Sequence, residues 1–423
     1  MKDLVSHWLR CCSLGITLLM SQVAFTQTVA EKDLALLLDR NPNQAVRFQN
    51  QGGIELFSPT WYQQLLNSYR STPVGRAIEQ ENRYHDWQLV AMRVAPCEPL
   101  GITPKDQIAE HCWPEVRLIW QPFVLIGSQR SLFADDRAIH AIYDVFPDGA
   151  LTGTEMERVI TLRNRLYSYY HGSRNPDLLL NQVEDREFQT LRNKVINRLL
   201  SNTLWLRTLV NEGHQLYRGH GIRPEQRSSS AGEFRNRLLH WLRAYTASNL
   251  IKEVTSFSLP AGRAPGSINL WSMIAFHQGS NGQLQPRPID IVSAEDGHTL
   301  FNFGHHTTVT REQEDFRLFQ TNLSIAARRE LSQSVIFHTA DRNRLLAKIA
   351  DRNQTHTLTT SCASCHRFNP DLNNMHNMSY FVGQPQISLA ARVQRDVAWD
   401  LSWLARQGFI GTRVALEEFP MEF

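Results

Sequence analysis

The chain has 423 residues, 42% hydrophobic and 20% charged, with a formal net charge of +3. That composition is globular and excludes a disordered, collagen-like or multi-span membrane chain; the length predicts two or three domains. The 44 basic residues are mostly Arg and run along the whole chain without a cluster, so no nucleic-acid partner is expected.

The chain begins as a secretory signal does, over residues 1–26. Lys2 and Arg10 precede a short apolar run, Cys11 to Met20, and small residues follow at Ala24-Phe25-Thr26 or Thr28-Val29-Ala30. Basic, apolar and small segments in that order mark a signal peptide, and ten apolar residues are too few to span a bilayer. Cys11 and Cys12 open the apolar run rather than close it, which argues against lipid attachment. No later stretch approaches about 18 consecutive apolar residues, so no transmembrane span is expected after signal removal.

Beyond the signal, a short helix is expected over 31–41 with Leu34, Leu37 and Leu38 on one face. Pro42 ends it, and loop or short strand runs on to Pro59. Leu89 to Leu125 reads as two strands around a loop holding Pro99, Gly101 and Pro104. Cys97 and Cys112 flank that loop, fifteen positions apart. In an exported protein they are expected to form a disulfide across the hairpin mouth; they lack the C-x-x-C spacing of a redox-active pair.

Thr154 to Glu157 has capping-box form ahead of a helix bearing Met156, Val159, Ile160, Leu162 and Leu166. Phe188, Leu191, Val195 and Leu199 mark a second amphipathic helix, and Phe234, Leu238, Trp241, Leu242 and Tyr245 a third. Ile268, Leu270, Ile274 and Phe276 suggest strands, and Leu389, Val393, Val397, Leu401 and Leu404 stripe a long helix from Pro385. The order is α+β, without regular βαβ alternation. Ala340-Asp341-Arg342-Asn343 recurs ten residues on, too briefly to imply a repeat architecture. Trp205, Trp241 and Trp271 read as core.

Ser361-Cys362-Ala363-Ser364-Cys365-His366 carries the chemistry. Two thiols three positions apart fall on one face of a helical turn, where they can add across two vinyl groups on one edge of a haem. The next residue, His366, then reaches the iron as proximal ligand. A thioredoxin-like C-x-x-C would follow an apolar strand, and Thr357 to Ser361 has little apolar character. A structural zinc site would need four ligands, and the other two mature cysteines are expected to pair with each other. His305-His306 and His214 with His220 lack completing ligands at suitable spacing. Gly213, Gly219 and Gly221 do not lead from a strand into a helix, and no nucleophile elbow or H-E-x-x-H is present.

Through Cys362, Cys365 and His366 the sequence resembles the c-type cytochromes, over its last quarter. The whole layout (signal, paired-cysteine strands, C-terminal motif) resembles a group of exported Gram-negative bacterial proteins without an assigned activity. The resemblance implies one covalent haem c, a periplasmic location and a mostly α-helical cytochrome c-like domain over 326–423. That domain follows an α+β domain of unassigned role over 27–325. It also implies an electron carrier with a redox protein partner and supplies no catalytic residue. A haem oxidoreductase whose N-terminal region binds substrate, or a haem-based sensor or binding protein, stands as the alternative. The sixth iron ligand is expected to be Met378 or Met375, with His376, Met421, His338 and His356 also in question.

Overall fold

The computed structural model describes residues 29–38, 45–50, 54–70, 83–100, 110–126, 129–132, 137–170, 175–206, 226, 231–246, 250–258, 271–279, 281–286, 290–292, 300–302, 306–309, 389 and 391–409. The signal segment, the expected boundary at 325/326 and the C-x-x-C-H motif lie outside them. So do the 340–353 repeat and Ile268 and Leu270.

An antiparallel sheet organises these residues. Its strands are β1 (Ala35–Leu37), β2 (Trp87–Pro99), β3 (Cys112–Ile126), β4 (Gln129–Leu132), β5 (Arg137–Asp144), β6 (Ile251–Ser258), β7 (Trp271–Gln278), β8 (Leu284–Pro286) and β11 (His306–Val309). Seven follow the path β1-β2-β3-β5-β6-β7-β11, with β4 paired to β3 and β8 to β7. A separate ribbon pairs β9 (Asp290–Val292) with β10 (Leu300–Asn302). The helices are α1 (Glu31–Leu34), α2 (Pro59–Arg70), α3 (Gly153–Ser168), α4 (Gln182–Leu204), α5 (Ala231–Tyr245) and α6 (Ala391–Arg406). This is the mixed α+β content expected from the pattern.

β2 reads Trp-Gln-Leu-Val-Ala-Met-Arg-Val-Ala-Pro-Cys, and every one of those side chains is buried. A strand enclosed on both faces shows a continuous apolar run instead of alternation. Leu36 to Leu38 share that character, and here the expectation is corrected: the helix stops at Leu34 and Ala35–Leu37 pair with Arg93, Met92 and Ala91. An unbroken apolar run carries no helical period, and burial beside β2 selects the strand.

The disulfide Cys97–Cys112 closes the β2–β3 hairpin with Cα atoms 5.0 Å apart, as the spacing predicts. Cys97 sits at an irregularity in the ladder, between the pairs Ala95↔Glu115 and Glu98↔Trp113, while Cys112 pairs with Pro99. Both cysteines are wholly buried. Cys97→Ser is therefore expected to lower stability by about 2–5 kcal/mol, read as a shifted urea midpoint. A shift no larger than that of an exposed serine substitution would contradict this.

α3 is capped two residues before the expected position. Thr152, not Thr154, is the N-cap: its hydroxyl accepts from the Glu155 amide at 3.3 Å, and the Glu155 carboxylate accepts from the Thr152 amide at 3.0 Å. Asn181 caps α4 in the same way, accepting from the amides of Val183 and Glu184 at 3.0 Å. The stripes expected for α4 and α5 are buried as read. Of the tryptophans expected in the core, Trp241 is buried, and Trp205 is corrected: it is 47% exposed, with Arg237 over its ring at 5.2 Å.

α2 begins at Pro59, where the expected loop or short strand ends and no element was assigned. Proline at the first position is compatible with helix, because its missing N–H is one the first turn leaves unpaired. Trp61, Tyr62 and Leu65 of α2 are buried. They adjoin an aromatic cluster centred on Phe48, whose ring lies 4.7 Å from Phe57, 4.9 Å from Trp120 and 5.8 Å from Trp87. Among the described residues no helix is long and apolar enough to cross a membrane.

Candidate functional site

The chain downstream of the C-x-x-C-H motif returns to the sheet as α6, which begins twenty-five residues after His366. α6 packs against α1 and β2. Val397, Trp403 and Leu404 are wholly enclosed there, and so is the carboxylate of Asp400. Two acidic residues one turn apart on the buried side of a helix require a cation. Arg93, set in the apolar run of β2, supplies it.

The Arg93 guanidinium lies 3.1 Å from each of three carboxylates: Glu98, Asp396 and Asp400. Burial by itself opposes charge on Arg93, and the three carboxylates more than reverse that, holding it above its ordinary range. A second arginine supports the same helix. Arg192 of α4 is buried, its guanidinium 5.3 Å from the ring centre of Trp403, and Nη1 donates to the Glu110 carbonyl at 2.5 Å. The same nitrogen approaches Cys112 Sγ at 3.5 Å, so the disulfide, α4 and α6 meet at this arginine. Burial pushes Arg192 down to about 10, against the pull of Asp185 and Glu110.

Beside the disulfide, His111 stands between a phenol and a carboxylate. Its Nδ1 is 2.7 Å from Tyr170 Oη and its Nε2 3.1 Å from Asp185 Oδ1, while Asp185 Oδ2 accepts from Gln189 at 2.9 Å. A carboxylate can only accept, so Nε2 carries a proton; in the neutral ring Nδ1 then accepts from the Tyr170 hydroxyl. The three groups are half-buried and form a continuous hydrogen-bond chain from α4, across the hairpin, to the end of α3. Such a chain can hold and reorient a proton.

A third polar group lies among β3, β5, β6 and α3. Lys252 Nζ lies 3.3 Å from Glu115, which also accepts from Arg117 at 3.1 Å, and Arg163 pairs with Asp144 at 2.5 Å. Burial opposes charge on Lys252, and Glu115 and Asp144 overcome it, holding its pKa above the ordinary value. Each member of this group is answered by an opposite charge, so it reads as a structural network.

Of the residues singled out from sequence, the structure brings Cys97 and Cys112 together. His306 opens β11 opposite Ile274. Cys362, Cys365, His366, Met375, His376, Met378 and Met421 lie outside the described residues, as do His214, His220, His305, His338 and His356. Among the described residues no cluster of three or more His, Cys, Asp or Glu could hold a metal ion. Sequence reasoning missed Arg93 with Asp396 and Asp400, and His111 with Asp185. Set against known proteins, the chain matches no family model, no curated protein and no solved structure.

Proposed function

We propose that this protein is an exported c-type cytochrome that carries one covalent haem and passes electrons to a redox protein partner. The observation that carries the reading is the sequence Cys362-Ala363-Ser364-Cys365-His366. Its donor set, two thiols and an imidazole in five consecutive residues, fits the group: the thiols supply two thioethers and His366 the proximal ligand. Bound there, haem supplies one-electron redox chemistry. The disulfide supports an oxidising compartment, since such bonds persist outside the reducing cytosol. The periplasm of a Gram-negative cell is the compartment we assign.

The chain's own contribution is attachment, axial ligation and anchorage. Cys362 and Cys365 would hold the ring through two thioethers and His366 would ligate its iron. Met378 or Met375, in a polar stretch nine to twelve residues past His366, would supply a further ligand. α6, held by Arg93 and Arg192, ties the downstream end of the haem-bearing segment to the sheet.

The ferric spectrum tests the ligand set. A low-spin spectrum with the weak long-wavelength band of methionine–iron ligation is expected, lost when Met378 and Met375 are both replaced by Ala. A high-spin spectrum that shifts readily with cyanide or carbon monoxide would contradict a six-coordinate carrier and favour catalysis or sensing.

A further inference from the structure

A tyrosine loses an electron readily only where its proton has somewhere to go, because the oxidised phenol is a strong acid. Tyr84, Tyr143 and Tyr245 are poorly placed for this. Tyr84 donates to the Phe57 carbonyl at 2.5 Å and Tyr143 to the Leu56 carbonyl at 3.2 Å, and a backbone carbonyl is no base. Burial holds both phenols above their ordinary range, so neither sheds its proton easily. Tyr245 accepts from the Asn202 amide at 2.7 Å, which is no base either.

Tyr170, two residues past the end of α3, faces an imidazole instead. Its Oη lies 2.7 Å from Nδ1 of His111, and the Nε2 proton is committed to Asp185 at 3.1 Å, so Nδ1 offers its lone pair to the phenol. His111 can therefore take the phenolic proton. The imidazolium so formed already has its counter-ion, for its second N–H points at the Asp185 carboxylate. Gln189 steadies that carboxylate by donating to its other oxygen at 2.9 Å. His111 and Asp185 are 20% and 24% exposed, so solvent screens their attraction less than on an open surface.

We propose that Tyr170 is a redox-active tyrosine: a one-electron oxidant takes an electron from its ring while its proton passes to His111 Nδ1, leaving a neutral tyrosyl radical beside an imidazolium held by Asp185. The O–H bond breaks, an N–H bond forms, and the proton stays within the site. The oxidant is a small inorganic radical, which the electron converts to its anion; half-buried Tyr170 is within reach of such a solute. One electron returned by a reductant of the ascorbate class sends the proton back to the phenolate oxygen. The site stands on α3, α4 and the β2–β3 hairpin and needs no haem.

Azide radical, made by pulse radiolysis of the full-length protein in azide solution, is the probe. Rapid freezing and electron paramagnetic resonance should show a tyrosyl radical, and a nitroso spin trap with peptide sequencing should place it at Tyr170. Tyr170→Phe should lose this signal, whereas Tyr84→Phe should keep it. His111→Gln still accepts a hydrogen bond but cannot keep the proton, so radical formation should slow by about a hundredfold, the contribution of a positioned base. Asp185→Asn retains a hydrogen-bond partner for the ring but removes the charge that stabilises the imidazolium, so it should slow formation too, and Asp185→Glu should restore it. Formation should be slower in deuterium oxide for wild type. A tyrosine with a merely structural hydrogen bond would shift the urea midpoints of these variants and leave the radical where it was. No tyrosyl radical in wild type, a trap adduct at another residue, an undiminished signal in Tyr170→Phe, or wild-type rates in His111→Gln would each overturn the proposal.

Discussion

Arg93→Met is expected to cost about 3–5 kcal/mol of stability, because it leaves three carboxylates facing one another inside the protein. Arg93 is 8% exposed at its side chain, and Glu98, Asp396 and Asp400 are 15%, 13% and 0% exposed. Little water reaches them, so removing Arg93 takes away the guanidinium that faces all three buried carboxylates. The attraction itself is a smaller quantity than this loss, since four ions were desolvated to make it. A double-mutant cycle separates the two. Arg93→Met combined with Asp400→Asn should lose clearly less than the sum of the single changes, because the partner that suffers most has been neutralised. Hydrogen exchange should show where the loss falls: amides of α6 should exchange faster in Arg93→Met, ahead of those in α4. A loss under about 1 kcal/mol, with α6 as protected as before, would mean the cluster behaves like a surface ion pair and does not anchor the helix.

The second large effect concerns the proposed haem attachment. Cys365→Ala, produced with the cytochrome c assembly machinery, is expected to give a small fraction of the wild-type holoprotein, attached by at most one thioether. His366→Ala is expected to lose normal proximal ligation. Cys97→Ser is the discriminating control. It removes a wholly buried disulfide and should lower stability, yet leave the haem covalently attached. Non-reducing peptide mapping of wild type should accordingly link Cys97 to Cys112 and find Cys362 and Cys365 modified. Normal holoprotein from Cys365→Ala or His366→Ala would mean that these residues do something other than hold haem.

What the sequence disclosed, and what it hid, follows the range of the interactions. The hairpin was legible because Cys97 and Cys112 are close in sequence and bracket a Pro- and Gly-containing loop. α4 and α5 were legible because Phe188, Leu191, Val195 and Leu199, or Phe234, Leu238 and Leu242, recur at helical spacing within one window. β1 was not, since Leu36 and Leu37 sit in an apolar run with no period and only pairing with Met92 and Ala91 makes them a strand. α2 was not read at all: the loop or short strand expected from Pro42 ends at Pro59, and that proline, which is compatible with a first helical residue, opens the helix.

The polar groups of the site were hidden by distance. His111 meets Asp185 across 74 positions and Arg93 meets Asp400 across 307, so no local spacing announces either pair. One signal was present: Arg93 interrupts an apolar strand, and Asp396 and Asp400 interrupt the stripe of Val393, Val397 and Leu404. Each placement implies a buried counter-ion, though neither names it.

Acid–acetone extraction of the matured wild-type protein tests the proposed covalent haem attachment most directly. The colour is expected to stay with the precipitated polypeptide and to map to the peptide containing Cys362 and Cys365. Complete transfer of the haem into the acetone phase would contradict attachment, and with it the assignment as a c-type cytochrome.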